Sequence, residues 1–159
     1  RKNEYIEELK NKEFDKVSWG TKKAEDGSIT RTYELRVNAS KQAFSDAIVT
    51  DQLQTDGMEY VPSSVKVYKG VWGEGNDGKL ALKNRQLVTD KEVTFAADNK
   101  SFTVKLGDVA QADGYLIEYK VRVPYAPASG ETFVNYARLD ANKTLIDDVC
   151  HKAFTAYYF

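Results

Sequence analysis

Tyr115-Leu116-Ile117-Glu118-Tyr119-Lys120-Val121-Arg122-Val123 is the stretch on which the fold class turns. Tyr115, Ile117, Tyr119, Val121 and Val123 fall on one face at period two, and Leu116, Glu118, Lys120 and Arg122 fall on the other. That is the pattern of a strand with one side in a core and one side in water. The alternation recurs in Ile29, Tyr33, Leu35 and Val37 against Thr30, Thr32, Glu34 and Arg36, and in Phe102, Val104 and Leu106 against Ser101, Thr103 and Lys105. Shorter runs of strand type are Phe14 to Trp19, Ala47 to Leu53, Ser64 to Val71, Val93 to Ala96, Phe133 to Leu139 and Val149 to Tyr158. Turn signals separate them at Glu25-Asp26-Gly27, Asp56-Gly57, Gly73 to Gly78, Asp98-Asn99, Asp113-Gly114 and Ser129-Gly130. About nine short strands so punctuated predict an all-β protein, an immunoglobulin-like sandwich of two sheets.

One segment departs from this pattern. From Asn3 to Phe14, Asn3 is placed to cap a helix, Glu4, Glu7 and Glu8 suit its first turns, and Tyr5, Ile6 and Leu9 share a face. A short N-terminal helix is therefore expected, with a second helical turn at Ser40 to Ser45. The organisation that follows is an N-terminal helical or linker segment over residues 1–14 and one immunoglobulin-like domain over residues 15–159.

Composition narrows the functional classes. The 159 residues suffice for one core. With 23 basic and 24 acidic residues intermixed, the net charge of −1 gives no basic field for nucleic acid. No apolar run approaches the ~20 residues of a membrane-spanning helix. The chain opens on Arg1, without Met or signal peptide, and reads as a fragment of a longer protein. Its one cysteine, Cys150, rules out an internal disulfide, so any covalent staple must be of another kind.

Period two also exposes polar residues on apolar faces. Asp51 shares a face with Ala47, Val49 and Leu53, and Asn135 shares one with Phe133, Ala137 and Leu139. Burying either without a partner costs several kcal/mol by order of magnitude, ~2–7. Lys16 lies in the early strand on a face shared with Phe14 and Ser18, while Val17 and Trp19 lie opposite, so its side is ambiguous. Two readings stand. In one, a buried lysine amine loses its proton and becomes a nucleophile towards the Asn carboxamide, with the Asp moving protons, and a Lys–Asn amide forms once. In the other, Asp51 caps a loop, Asn135 bonds a neighbouring backbone and Lys16 is solvated. Periodicity alone favours the second, because any set of strands holds an occasional inward polar residue.

Three further stretches accompany these residues: Ile29 to Asn38 (ITRTYELRVN), Ala47 to Leu53 (AIVTDQL) and Glu59 to Tyr68 (EYVPSSVKVY), with Phe133 to Leu139 (FVNYARL) after them. In this order and spacing they resemble the collagen-binding-type adhesin domains of Gram-positive cell-wall-anchored proteins, over Asp15 to Leu139. The resemblance implies a variant immunoglobulin sandwich with extra strands and an intramolecular isopeptide bond between Lys and Asn, promoted by Asp. By resemblance the Asp falls on Asp51, the Asn on Asn135, and the Lys on Lys16. Lys22 and Lys23 are the other lysines in reach and read as solvated. The sequence departs where the family's Trp is replaced around Arg31 to Tyr33, and the tail from Asp147 to Phe154 matches no family pattern.

Other candidates carry less. Cys150 and His151 are neighbours in a strand, point to opposite faces and so form no dyad; a buried, inert Cys150 is expected. With a single His no metal site is expected, and no cofactor. Gly70 to Gly78 reads as a flexible loop, since no helix follows to make it a phosphate loop. Asn38-Ala39-Ser40 and Asn142-Lys143-Thr144 fit the glycosylation pattern, which a bacterial origin would make irrelevant. The apolar end Phe154 to Phe159 is expected to pair as a last strand rather than stay an exposed edge.

The sequence thus predicts a non-enzymatic surface adhesin domain, self-crosslinked in a single turnover. It would be extracellular and anchored to the cell wall through a region outside this chain. Its partners would be a host extracellular-matrix or other surface macromolecule and adjacent domains of the same polypeptide, with no nucleic acid and no membrane insertion. The collagen-binding members close two domains around their ligand, so the ligand here stays open. The alternatives are a passive stalk or pilin module with the same crosslink, or a carbohydrate-binding β-sandwich.

Overall fold

Strands rich in aromatic and β-branched residues need two-sided partners to bury one face each, and two stacked sheets supply them. The computed structural model describes residues 12–154. Ten strands follow in order: β1 (Phe14–Lys23), β2 (Ile29–Val37), β3 (Phe44–Leu53), β4 (Glu59–Glu74), β5 (Leu80–Val88), β6 (Glu92–Phe95), β7 (Ser101–Val109), β8 (Gly114–Val123), β9 (Thr132–Ala141) and β10 (Thr144–Phe154). They form two five-stranded sheets in the orders β1-β2-β8-β4-β5 and β10-β9-β3-β7-β6. All pairings are antiparallel. This is the two-sheet all-β sandwich that the alternation predicts, in the immunoglobulin-like form with extra strands that the resemblance implies.

The core is the layer between the sheets. Tyr115, Ile117, Tyr119, Val121 and Val123 of β8 are buried, as are Ala47, Val49 and Leu53 of β3 and Phe133, Ala137 and Leu139 of β9. A smaller apolar cluster lies apart from it, formed by Ala39, Trp72, Leu80, Leu82 and Leu116 with Tyr68 packed on it. The edge strands β1 and β10 belong to different sheets yet touch along one side of the sandwich. The interior near that side can therefore be reached by side chains from both.

Several expectations change. The helix predicted over Asn3 to Phe14 lies, except for its last three residues, outside the described residues, and Phe14 itself opens β1 with its side chain buried. No helical turn forms at Ser40 to Ser45. Asn38 sits at φ 70, a turn follows, and β3 starts at Phe44. The Asn38 amide donates to the carbonyls of Gln42, Ala110 and Asp113 while its oxygen accepts from the Gln42 N–H, so this corner is held by one buried side chain rather than by helix bonds.

Gly70 to Gly78 is not a loop throughout. Gly70 and Gly73 lie inside β4, and only the 75–79 reversal joins it to β5, closed by Gly75 N–H to the Lys79 carbonyl at 2.8 Å. A Cβ at Gly70 would meet the Lys83 carbonyl oxygen at 2.5 Å, so the glycine is there to let β5 approach. The strand pattern of the sequence does not mark β5. The final strand begins at Thr144 rather than Val149, because Asn142 and Lys143, at φ 50 and 63, make the tight two-residue hairpin turn that joins it to β9.

Candidate functional site

Three strands bring the predicted residues together. On β1, Phe14, Lys16 and Ser18 share the inward face, and the Lys16 side chain is only 2% exposed. On β3, Asp51 stands between Val49 and Leu53 and is 0% exposed. On β9, Asn135 is likewise 0% exposed and lies opposite Leu53 on one side and His151 on the other. Lys22 and Lys23 are exposed, in the far half of β1.

Hydrogen bonds join the three through a fourth residue. Lys16 Nζ donates to Asp51 Oδ2 at 2.9 Å. The Tyr119 hydroxyl donates to the same oxygen at 2.5 Å, and the Tyr60 hydroxyl donates to Asp51 Oδ1 at 2.6 Å. Asn135 Nδ2 donates to the Tyr119 oxygen at 3.0 Å. Asn135 Oδ1 is buried and has no hydrogen-bond partner among the described residues. An orphaned carbonyl oxygen in a core normally costs ~1–3 kcal/mol, so this one departs from ordinary core packing.

Aromatic rings wall the cluster off from water. Tyr33 and Tyr119 are register partners on β2 and β8 and stack at 5.6 Å between centroids. Tyr60 and Phe102 meet Tyr119 edge-on at 6.0 and 5.1 Å. Lys16 Nζ lies 5.2 Å from the centre of the Tyr33 ring and 5.7 Å from that of Tyr119.

The surroundings set the charges. Burial lowers the Lys16 pKa below its ordinary 10.5, and the attraction and hydrogen bond of Asp51 oppose this without overcoming it. The Tyr60 and Tyr119 hydroxyls are pushed well above 10, first by burial and then by Asp51, so both remain donors. A buried Lys–Asp ion pair is a poor source of stability, because desolvating two charges offsets most of their attraction. Moving one proton from Nζ to the carboxylate removes both charges and leaves a free amine hydrogen-bonded to a neutral carboxyl.

A second polar group lines the open side between β1 and β10. His151 Nε2 lies 3.2 Å from Ser18 Oγ and its Nδ1 3.4 Å from the Tyr33 hydroxyl. Arg31 donates to Ser18 Oγ at 2.7 Å and to Thr21 Oγ1 at 2.9 Å. His151 is half-buried, and burial, with Arg31 and Lys16 nearby, lowers its pKa to about 4. Cys150 corrects an expectation. It is exposed, because the inward positions of β10 near it are those of His151 and Ala153. Among the described residues no group of three or more His, Cys, Asp or Glu side chains is placed to hold a metal ion.

Sequence reasoning missed the parts played by Tyr60, Tyr119 and His151. For Tyr119 a signal existed, since it sits on the inward face of β8 and an inward hydroxyl needs a partner. For His151 the sequence offers only its place beside Cys150, on the opposite strand face.

Two antiparallel five-stranded sheets closed over such an interior define an immunoglobulin-like domain of the collagen-binding fold. Residues 11–148 match the model of the family described as collagen binding domain, and the chain belongs to that family. It is similar in fold to a collagen-binding domain from a Staphylococcus aureus adhesin, at 14% identity and TM-score 0.61 over 91% of this chain and 98% of that one. It is also similar to the collagen binding domain of the Erysipelothrix rhusiopathiae surface protein RspB, at 13% identity and TM-score 0.61, over 92% of this chain and 47% of that one. A third likeness is to the collagen binding subdomain of the Enterococcus faecalis surface protein ACE, at 15% identity and TM-score 0.51, over 89% and 93%. No curated protein matches the chain by sequence.

Proposed function

We propose that this is a non-enzymatic adhesin domain of a Gram-positive cell surface, locked by an isopeptide bond between Lys16 and Asn135 that Asp51 promotes. One observation carries the crosslink: a lysine amine, a carboxyl and a carboxamide lie in one dry aromatic interior, joined by hydrogen bonds. Family membership supports the adhesin role and an extracellular setting. The partner is an extracellular-matrix protein, with collagen the first to test.

Asp51 takes a proton from Lys16, and the neutral amine attacks Cγ of Asn135. A C–N bond forms to Nζ and the bond to Nδ2 breaks; of the two protons the lysine ammonium gives up, one completes the ammonia and the other leaves with it as ammonium. One amide replaces another, so neither oxidant nor energy source is required. The product ties β1 of one sheet to β9 of the other, and the reaction cannot turn over.

Intact mass tests this. The protein should weigh about 17 Da less than its sequence, the mass of one ammonia, and Asp51→Ala should hold the full mass of its own sequence. A wild-type chain at full mass sinks the crosslink. For the adhesin role, binding to immobilised collagens and other matrix proteins is expected. A domain that binds none of them, alone or with its neighbouring domains, is a spacer instead.

A further inference from the structure

We propose that Tyr119 is a catalytic residue of the crosslinking reaction, carrying the proton between Asp51 and the departing nitrogen of Asn135. The inference rests on the Lys16–Asn135 reading above. Its ground is a gap in the site. Asp51 bonds the nucleophile, Lys16, directly, but among the described residues no hydrogen bond joins Asp51 to the amide that must leave. The Tyr119 oxygen spans the gap, 2.5 Å from Asp51 Oδ2 and 3.0 Å from Asn135 Nδ2. Both are hydrogen-bond distances suited to proton transfer.

The protons balance through this hydroxyl. Before reaction Nδ2 is a planar amide nitrogen and donates to Tyr119. Once Nζ has added to Cγ, Nδ2 becomes a basic amine with a lone pair, and the direction of the bond reverses. Tyr119 then gives its hydroxyl proton to Nδ2 and receives one from Asp51, which has taken it from Nζ. The Cγ–Nδ2 bond breaks and ammonia departs; Asp51, a carboxylate again, takes the second proton from Nζ and passes it to the departing ammonia, which leaves as ammonium, so Asp51 and Tyr119 end as they began. Nζ keeps one hydrogen as the new secondary amide.

Neighbouring tyrosines define the contrast. Tyr60 touches only the far oxygen of Asp51 and so positions the carboxyl. The Tyr33 hydroxyl lies near His151. Tyr119 alone of the three has a hydrogen bond to the Asn135 amide among the described residues. Its ring is fully buried and packed between Tyr33 and Phe102, which fixes the hydroxyl in place.

The experiment is timed intact-mass measurement of the full chain made by cell-free synthesis, comparing wild type, Tyr119→Phe and Tyr60→Phe. Loss of ammonia should slow by about 100-fold or more in Tyr119→Phe, the scale of a lost acid–base group. In Tyr60→Phe the slowing should be at least tenfold smaller, as befits a positioning residue. A Tyr119→Phe chain that folds, by circular dichroism, and crosslinks at the wild-type rate overturns the relay. If Tyr119→Phe does not fold, 3-fluorotyrosine at position 119 keeps the shape and hydroxyl and changes only its acidity. The relay then requires a rate that differs from wild type, and an identical rate overturns it. A wild-type chain that never loses ammonia fails the parent reading itself, and the relay with it.

Discussion

His151 stands directly across from Asn135 in the β9–β10 ladder, and its ring lies edge-on to Tyr33 at 5.2 Å. The neutral imidazole thus lies beside the cluster on the side where β1 and β10 meet. Its position makes the domain sensitive to acid in a defined window.

The folded-state pKa of His151 is lowered to about 4, against an ordinary 6.5, so the unfolded chain binds the extra proton first as pH falls. Stability associated with the neutral ring is fully present above pH ~6.5 and is lost as pH falls towards ~4. Arg31 faces the ring and opposes its protonation, as does Lys16 while its amine is free. Allowing for its partial exposure, the loss should be about 1–2 kcal/mol, and His151→Gln should flatten it. Urea denaturation between pH 7 and 4 measures both; identical slopes in the two proteins would count against it.

The proposed crosslink would close a loop of roughly 120 residues, for which chain entropy predicts a stabilisation of about 4–5 kcal/mol by analogy with a disulfide. Asn135→Ala, which keeps the Lys16–Asp51 pair, should melt about 10–20 °C lower by calorimetry. Lys16→Ala should fall further, since it also strands a buried carboxylate, at about 3–5 kcal/mol. Equal melting temperatures for wild type and Asn135→Ala would contradict the staple.

Trp72 holds β2 from outside the main core: its indole N–H donates to the Val37 carbonyl at 2.7 Å. Trp72→Phe keeps an aromatic body but leaves that oxygen unpaired, at a cost of about 1–3 kcal/mol. Gly114→Ala attacks the same cluster sterically, because a Cβ would meet the Trp72 ring at 2.5 Å. A loss of about 1–3 kcal/mol in denaturant melts is expected for each, and they should not add, since both act on one side chain.

Cys150 is exposed on β10 and should react with a maleimide in the native protein as readily as in urea. Protection in the folded state would show a thiol facing inward.

Much of this was legible in the sequence where neighbours on a strand face were uniformly apolar. Asp51 and Asn135 stood out because Val49, Leu53, Phe133 and Ala137 left no polar company around them. Lys16 did not, since β1 is an edge strand with polar residues on both faces, and only the register against β2 turns it inward. β5 escaped because Leu80 and Leu82 serve the outlying cluster around Trp72, and Asn84, at φ 55, breaks the alternation before Arg85 and Gln86. Tyr60 and Tyr119 looked like ordinary core aromatics, since a sequence pattern places a ring on a face but does not say what its hydroxyl meets. The exposed Cys150 and inward His151 reverse the usual preference of those residue types, and here the demands of the interior outweighed it.

The placing of Lys16 three residues into β1 has a mechanical meaning for a domain at a cell surface. Tension entering through β1 reaches that residue almost at once. With an amide there, force passes to Asn135 without crossing the strands between them. Only the remainder of β9 and the peripheral β10 are then free to lengthen under load. So crosslinked, the rest of the sandwich would behave as an inextensible link that no change in redox conditions loosens.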